Sequence, residues 1–250
     1  MLRKRLIFTL LFSNNYFHLS RNFNLQKVGN LDWLKENYNF KNISAYIDEL
    51  IVLDVSKNNK DIKTLSNNIG DICKDCFVPI SIGGGIDNLD KVKILLKAGA
   101  DKIMLNSAVI DNIRFLKQAS QIFGSSNVTV MIQVVKIGKR YFISKSNGRD
   151  LVKIDPVTWA KKVEEFGAGE IVITSVNNEG LRKGFDISLT KKIVEKVSIP
   201  VIAHGGAGNP KQIYDVIRHT KVSGVGLASM LHYDAIKFLP KVKRFSLFKI

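Results

Sequence analysis

The chain repeats itself with a period close to 120 residues, and this repeat restricts the possible folds more than any other feature. The segment Glu49–Asp54 resembles Glu170–Ser175, which begins 121 positions later. The dipeptides Val78-Pro79 and Ile199-Pro200 are also 121 positions apart, and each leads an apolar run into a glycine cluster. A period of this length indicates two structurally equivalent halves.

Eight short apolar runs are predicted to be strands. They are rich in β-branched residues and lack strict polar alternation, as expected of parallel strands buried on both faces. They are Arg5–Phe12, Glu49–Val55, Val78–Ile82, Lys102–Leu105, Val128–Val134, Glu170–Thr174, Pro200–Ala203 and Gly224–Ala228. Between the runs, Asp155-Pro156 and Asn209-Pro210 each supply an N-cap followed by proline at the first helical position.

Eight strands alternating with helices predict an α/β fold, a single (β/α)8 barrel domain over residues 1–250. An open doubly wound sheet is the alternative. Two halves of four βα units close a barrel naturally, so the repeat favours the barrel.

Composition excludes several other classes of protein. A hydrophobic fraction of 45% and a charged fraction of 24% exclude a disordered chain, a collagen and a disulfide-stapled miniprotein. No apolar run approaches the ~18 residues that a membrane-spanning helix needs. The net charge of +16 comes from dispersed lysines, so it predicts no nucleic-acid partner.

The N-terminal segment imitates a signal peptide, but we interpret it as a first strand. Basic residues precede only the short run Leu6–Phe12, and no small-x-small cleavage site follows, so we expect a cytoplasmic protein. Cys73 and Cys76 form a C-x-x-C motif without the second pair that a zinc site needs. No pattern predicts a metal or another cofactor.

Each half of the predicted barrel offers one nest for a phosphate. Glycine clusters open helices at Gly83–Ile86 and Gly205–Gly208, where backbone N–H groups can approach an anion and the helix dipole favours negative charge. A second strand end with small residues follows each cluster, Asn106-Ser107 in one half and Ala228-Ser229 in the other. Both nests belong to the face at the carboxyl ends of the strands, which predicts a phosphorylated small-molecule ligand with a phosphate at each end.

Several stretches resemble the cyclase subunit of imidazole glycerol phosphate synthase, and the resemblance runs from Met1 to about Met230. The most specific stretches are Phe123–Ser125, Trp159-Ala160 with Gly167–Ile171, Ile173–Ser175, Ile199–Ala203 and Gly205–Gly208. The resemblance implies a barrel that binds a glutaminase subunit and receives ammonia through its interior. At the mouth, this ammonia would react with a ribulosyl bisphosphate-type substrate.

Carried over position by position, the resemblance implies binding residues in both nests and at the mouth. The phosphate contacts would be Gly84, Gly85 and Asn106 in the first nest and Gly206, Ala207 and Ser229 in the second, and Thr174 and Ser175 would line the mouth. The strand end and the glycine cluster described above add Ser107 to the first nest and Gly205 to the second. It also implies an ammonia gate of four charged residues at the starts of strands, here Arg5, Glu49, Lys102 and Glu170. All four charges are present. Because buried charges are costly to assemble, their presence favours a retained ammonia entrance over a purely structural ring.

The sequence departs from the family where the chemistry needs proton transfer. The two catalytic aspartates correspond to Leu11 and Gln133, and neither residue can exchange a proton near pH 7. The segment Tyr16–Asn24 replaces a loop that is usually mobile, and Glu179 replaces an aspartate. Asp54 and Glu179 are the mouth-side carboxylates that could stand in for the missing acid and base.

We therefore interpret the chain as a divergent relative that receives ammonia but no longer closes an imidazole ring. The resemblance extends to paralogues in surface-polysaccharide (lipopolysaccharide) biosynthesis. These work with a sugar amidotransferase that converts an N-acetyl group to an acetamidino group, and Leu11 resembles them. The cations around the mouth would then meet either an acidic sugar nucleotide or this amidotransferase; they are Arg21, Lys136, Lys139 and Arg140. Two alternatives stay open: an active cyclase subunit in histidine biosynthesis, and a catalytically inactive phosphate-binding scaffold.

Overall fold

Eight parallel strands close into a barrel in the structure, a computed structural model that describes residues 3–38, 40–57 and 60–237. The strands are β1 (Arg5–Ser13), β2 (Tyr16–Arg21), β3 (Asn24–Gly29), β4 (Glu49–Asp54), β5 (Ile80–Gly83), β6 (Lys102–Leu105), β7 (Val128–Ile137), β8 (Arg140–Lys145), β9 (Asp150–Val152), β10 (Glu170–Ser175), β11 (Val201–His204) and β12 (Gly224–Leu227). The barrel consists of β1, β4–β7 and β10–β12. The last strand pairs with the first, and β7 pairs with β10, so the ring of strands has no edge. The (β/α)8 prediction is confirmed, and the open sheet is excluded.

Helices surround the barrel between its strands. They are α1 (Leu31–Tyr38), α2 (Phe40–Ile43), α3 (Ile62–Cys73), α4 (Leu89–Lys97), α5 (Ser107–Asp111), α6 (Ile113–Phe123), α7 (Pro156–Glu165), α8 (Ile187–Val194), α9 (Pro210–His219) and α10 (Ser229–Lys237). The predicted caps are present: Asp155 accepts from the N–H groups of Val157 and Thr158, and Asn209 accepts from Gln212. Among the described residues, none of these helices has the length and apolarity to cross a membrane.

Successive side chains along each barrel strand point alternately outward and inward, and they form two separate apolar layers. Outward side chains such as Phe8, Val52 and Val130 pack in the main core with the apolar stripes of the helices. Inward side chains form a separate cluster that fills the barrel, namely Ile7, Ile51, Leu53, Met104, Met131, Val172 and Ile202. This inner cluster separates the end of the barrel where the strands begin, the bottom, from the end where they finish, the mouth.

Two antiparallel extensions rise from the mouth. After β1 the chain turns at Asn14-Asn15, forms β2, turns again at Asn22-Phe23 and forms β3. Both turns have positive φ at both central residues, 49° and 63° in the first and 48° and 63° in the second, as type I′ hairpin turns require. The segment that replaces the usual mobile loop is therefore an ordered hairpin. The second extension comprises β8, which pairs with the end of β7, and β9, which pairs with β8.

Candidate functional site

Four charged side chains form a closed ring at the bottom of the barrel. Arg5 donates Nη1 to Glu49 and Nη2 to Glu170. Opposite it, the Nζ of Lys102 lies 3.3 Å from Oε1 of Glu49 and 3.1 Å from Oε2 of Glu170. Each carboxylate therefore has two cationic partners, and each cation has two carboxylates. The structure brings together all four residues that the resemblance implied.

The ring is largely removed from solvent. The side chains of Glu49 and Glu170 are 8% and 6% exposed, against 23% for Arg5 and 19% for Lys102. Burial alone would lower the pKa of the Arg5 guanidinium, but the hydrogen bonds and charges of Glu170 and Glu49 outweigh burial and raise it. The two carboxylates thus hold the Arg5 guanidinium in its charged form within a largely buried network.

Two inward hydroxyl groups lie in the apolar interior above the ring. The Oγ1 atoms of Thr9 and Thr129 are buried and have no hydrogen-bond partner among the described residues. Thr9 also lines the floor of the mouth cavity. Sequence reasoning missed both residues. The spacing could have identified them: Thr9 and Thr129 each lie two positions from an inward apolar residue, Ile7 and Met131 respectively, and therefore also face inward.

The mouth opens on a cavity of about 490 Å³ whose floor is apolar. Leu11 pairs in register with Leu53, and both line the floor beside Met131. Gln133 lies on the wall, where its Oε1 accepts a hydrogen bond of 3.1 Å from the N–H of Gly148. The two positions to which the resemblance assigns an acid and a base therefore both line the cavity, where they hold a hydrocarbon side chain and an amide.

Both nominated stand-in carboxylates have local partners. Oδ1 of Asp54 accepts from the N–H of Ser56 at 2.8 Å, and Asp54 lines a second cavity rather than the central one. Glu179 lies on the central cavity, and its Oε2 accepts from Oγ of Ser20 and from the N–H of Phe23, both at 3.0 Å. Burial raises the pKa of Glu179 above its ordinary value, and the two hydrogen bonds oppose this rise.

The first nest opens into this second cavity, which has a volume of about 370 Å³. All of its predicted residues line the cavity, namely Gly84, Gly85, Asn106 and Ser107. Gly84 and Gly85 have φ of 104° and 69°, values at which the backbone of a residue with a side chain would be strained. Three cations line the same cavity: Lys57, Lys60 and Arg149. Burial lowers the pKa of Lys60; the charge of Asp54 raises it, and those of Arg149 and Lys91 lower it.

The second nest has the same backbone form but different surroundings. Gly205 and Gly206 have φ of 87° and 108°. The predicted residues Gly205, Gly206, Ala207 and Ser229 line neither of the two cavities described above. Instead, the carbonyl of Gly206 accepts from the N–H of Gly184 at 2.8 Å, and the N–H of Gly208 donates to Gln212. The two nests are therefore not equivalent.

Two residues near the second nest complete the mouth wall. Thr174 lines the central cavity, whereas the buried Ser175 lies beside it, outside the cavity lining. Nδ1 of His204 lies 3.1 Å from Oγ1 of Thr174, and burial lowers the pKa of His204 to about 4. His204 is thus a neutral side chain that fills the end of β11.

Comparison with known proteins gives a consistent relationship. A family model described as histidine biosynthesis protein matches residues 34–237. The imidazole glycerol phosphate synthase subunit HisF of Petrotoga mobilis is 39% identical over 189 residues, 75% of each chain. The same subunit of Saccharolobus solfataricus is 39% identical over 190 residues, 76% of each chain. That of Prochlorococcus marinus strain MIT 9215 is 40% identical over 206 residues, 81% of this chain and 80% of the relative.

Proposed function

The chain belongs to the histidine biosynthesis protein family, and from that premise we propose that it is an ammonia-accepting, HisF-like subunit of a glutamine-dependent complex. In this proposal a glutaminase subunit binds the bottom of the barrel, and ammonia crosses the interior to an acceptor at the mouth. The observation that carries the proposal is the closed ring of Arg5, Glu49, Lys102 and Glu170.

The ring has the properties that an ammonia entrance needs. Because every charge in it has two partners of opposite sign, the closed ring gives water no unpaired ion to hydrate. A small neutral molecule can pass when one ion pair opens, since the remaining pairs hold the other charges. Beyond the ring, the unpartnered hydroxyl groups of Thr9 and Thr129 can hydrogen-bond to ammonia, while the apolar side chains around them disfavour ions.

The acceptor at the mouth is the second part of the proposal. The names of the relatives favour an active cyclase subunit that forms an imidazole ring. Leu11 and Gln133, at the positions that the resemblance assigns to an acid and a base, favour a different acceptor because neither side chain can transfer a proton. We therefore extend the proposal to amidation of a surface-polysaccharide sugar, with a separate amidotransferase at the mouth. Exposed cations there would face this partner: Arg21 at the end of β2, and Lys136, Lys139 and Arg140 at the β7–β8 turn.

The ammonia route is tested by comparing glutamine consumed with ammonia transferred. The complex is reconstituted with the glutaminase subunit that co-purifies with the chain. We expect Lys102→Ala to leave complex formation intact but to lower the ratio of transferred ammonia to consumed glutamine several-fold, because two carboxylates then share one arginine. Lys93→Ala, on the exposed face of α4, is the matched control. A ratio that stays at the wild-type value for both Lys102→Ala and Arg5→Ala contradicts the proposal.

The acceptor is tested separately with free ammonium ions, which bypass the glutaminase. Ammonium is supplied with the ribulosyl bisphosphate-type substrate in one reaction, and with an N-acetylated sugar and the neighbouring amidotransferase in another. Imidazole formation at the rate of an active cyclase supports the histidine-biosynthesis alternative. Amidated sugar supports the second part of the proposal. If neither product forms and no glutaminase is stimulated, the chain is a binding scaffold.

A further inference from the structure

The β2–β3 hairpin (residues 16–29) forms a wall of the mouth cavity. Five of its residues line the cavity, namely Ser20, Asn22, Phe23, Asn24 and Leu25. The family model match begins at residue 34, so the hairpin lies outside it. Two type I′ turns and the edge-to-face contact of Phe12 with Phe17, at 5.6 Å between centroids, give the hairpin local order.

Glu179 anchors the hairpin from one side. Its Oε2 accepts both from Oγ of Ser20 and from the N–H of Phe23, and its backbone carbonyl accepts from the N–H of Asn22 at 3.0 Å. The side chain of Glu179 is buried, and so is Ser20. At the next residue, Gly180, a Cβ would overlap the carbonyl of Ser20. The tip of the hairpin is therefore seated directly on the loop after β10.

A second anchor lies across the mouth, at the turn between β8 and β9. A Cβ at Gly148 would overlap the ring of Phe23, so this ring is packed directly on the glycine backbone. Gly148 is held in turn by Gln133, whose Oε1 accepts its N–H. The neighbouring Asn147 donates from Nδ2 to the carbonyl of Val55 at 3.0 Å. The two extensions thus meet at Phe23 and Gly148.

We propose that Glu179 and Gln133 are positioning residues that hold the two extensions together as a fixed roof over the mouth cavity. Both lie at positions where the family resemblance expects aspartate, and here both side chains accept hydrogen bonds from the roof. A ligand in the cavity meets a preformed wall that includes Phe23 and Asn24, rather than a loop that closes upon binding. The inference rests on the proposed function only in taking the mouth as the ligand site.

The roof also assigns a role to Glu179 that differs from acid–base chemistry. Glutamine at this position keeps an oxygen that can accept both hydrogen bonds, but it cannot exchange a proton near pH 7. Alanine removes both functions. The pair of variants therefore separates a positioning role, which glutamine rescues, from an acid–base role, which glutamine abolishes.

The experiment measures amide hydrogen exchange in the hairpin and the rate of tryptic cleavage after Arg21. In Glu179→Ala we expect exchange at the Phe23 amide and cleavage after Arg21 to rise by about tenfold or more, since both hydrogen bonds to the Glu179 side chain are lost. In Glu179→Gln both rates are expected to stay within about threefold of the wild-type rates, because the amide oxygen can accept the same two hydrogen bonds. Exchange in β4 should not change in either variant. Glu165→Ala, an exposed glutamate on α7, is the matched control.

Two further variants keep the test decisive if Glu179→Ala does not fold. Ser20→Ala removes one of the two groups that donate to the Glu179 side chain. Gly148→Ala displaces the ring of Phe23 from the glycine backbone and leaves Glu179 unchanged. Ser20→Ala should raise exchange in residues 16–29 alone. Gly148→Ala should raise it there and in the β8–β9 turn itself, because alanine is strained at a φ of 76°. Wild-type exchange at Phe23 in these variants, or equal effects of alanine and glutamine at position 179, overturns the roof. None of these measurements involves a glutaminase or an acceptor, so the roof and the proposed function can fail independently.

Discussion

The bottom and the mouth of the barrel are built from the same eight strands, yet they have diverged to different extents. At the bottom, all four charges implied by the resemblance are present and paired in one ring. At the mouth, Leu11 and Gln133 occupy the two positions to which the resemblance assigns proton transfer. The apolar cluster around Ile51 and Val172 separates the two ends, so neither end depends on the other for its contacts.

The contacts of the two ends explain why one could change more easily. Each ring member has two partners, so replacing a single member leaves buried charge uncompensated. At the mouth, by contrast, each of the two side chains has one local contact. Leu11 lies beside Leu53, and Oε1 of Gln133 accepts a hydrogen bond from the N–H of Gly148. These contacts therefore restrain a single replacement more strongly at the bottom than at the mouth.

The largest expected effect concerns imidazole formation at the mouth. The chain supplied with free ammonium and the ribulosyl bisphosphate-type substrate should turn over at least about a thousandfold more slowly than an active cyclase, because each missing acid or base contributes roughly 10²–10⁴ in rate. Product formation is followed by absorbance and compared with an active HisF subunit under the same conditions.

A turnover within tenfold of the active subunit would show that the mouth still catalyses proton transfer. If Glu179 supplies the proton transfer in that case, Glu179→Gln should abolish turnover while leaving the hairpin in place. If Asp54 supplies it, Glu179→Gln should leave turnover unchanged. The scaffold alternative and the sugar-amidation proposal would both lose their basis.

The next effect measures how firmly each end is held. Arg5→Met should lower the free energy of unfolding by about 3 kcal/mol, because Glu49 and Glu170 then share only Lys102 in a largely buried site; the partial exposure of the cations keeps the loss at the low end of the range for buried pairs. At the mouth, Gln133→Met should cost only about 1 kcal/mol, the value of one hydrogen bond. Urea unfolding of both variants measures the difference. Equal losses would show that the ends are equally restrained.

Much of the fold could be predicted because its signals are local. The apolar runs, the caps at Asp155 and Asn209 and the repeat together indicate the closed barrel before any contact is known. The β2–β3 hairpin was missed as a pair of strands. Its turns at Asn14-Asn15 and Asn22-Phe23 are a usable signal, although a bulky residue such as Phe23 rarely adopts positive φ.

The site was harder to predict because its contacts connect distant parts of the chain. Ser20 and Glu179 are 159 positions apart, so their hydrogen bond leaves no pattern in either segment. The repeat likewise predicts two equal nests. The loops that surround them are not repeated: Lys57 and Lys60 border the first nest, whereas Gly184 and Gln212 pack against the second. Equivalent backbone therefore does not ensure an equivalent environment.

His204, on the wall of the mouth, should make the stability of the protein depend on pH. The folded-state pKa of His204 is lowered by burial to about 4 from an ordinary value of 6.5, so the unfolded chain binds more protons between these values. The free energy of unfolding is therefore highest above pH 6.5 and falls as the pH is lowered toward 4, because protonation of His204 favours the unfolded chain. The loss reaches about 2 kcal/mol by pH 5. Urea unfolding at pH 7 and pH 5 measures this loss. His204→Asn, which does not titrate, should show a correspondingly smaller pH dependence, and equal pH dependences would contradict the assignment.

The smallest expected effect distinguishes the two nests within the mouth. Lys60→Ala and Lys183→Ala remove the same charge, but Lys60 lines the first-nest cavity, whereas Lys183 is exposed on the loop near the second nest. We expect Lys60→Ala to weaken the binding of inorganic phosphate about tenfold, equivalent to roughly 1.4 kcal/mol, because one charge-assisted contact is lost. Lys183→Ala should change it less than about twofold, since only distant, screened charge is removed. Calorimetric titration of both variants with phosphate at fixed ionic strength provides the measurement. Equal weakening would mean that net charge alone attracts the anion, and it would remove the distinction between a cation-lined first nest and a second nest packed against its own loops.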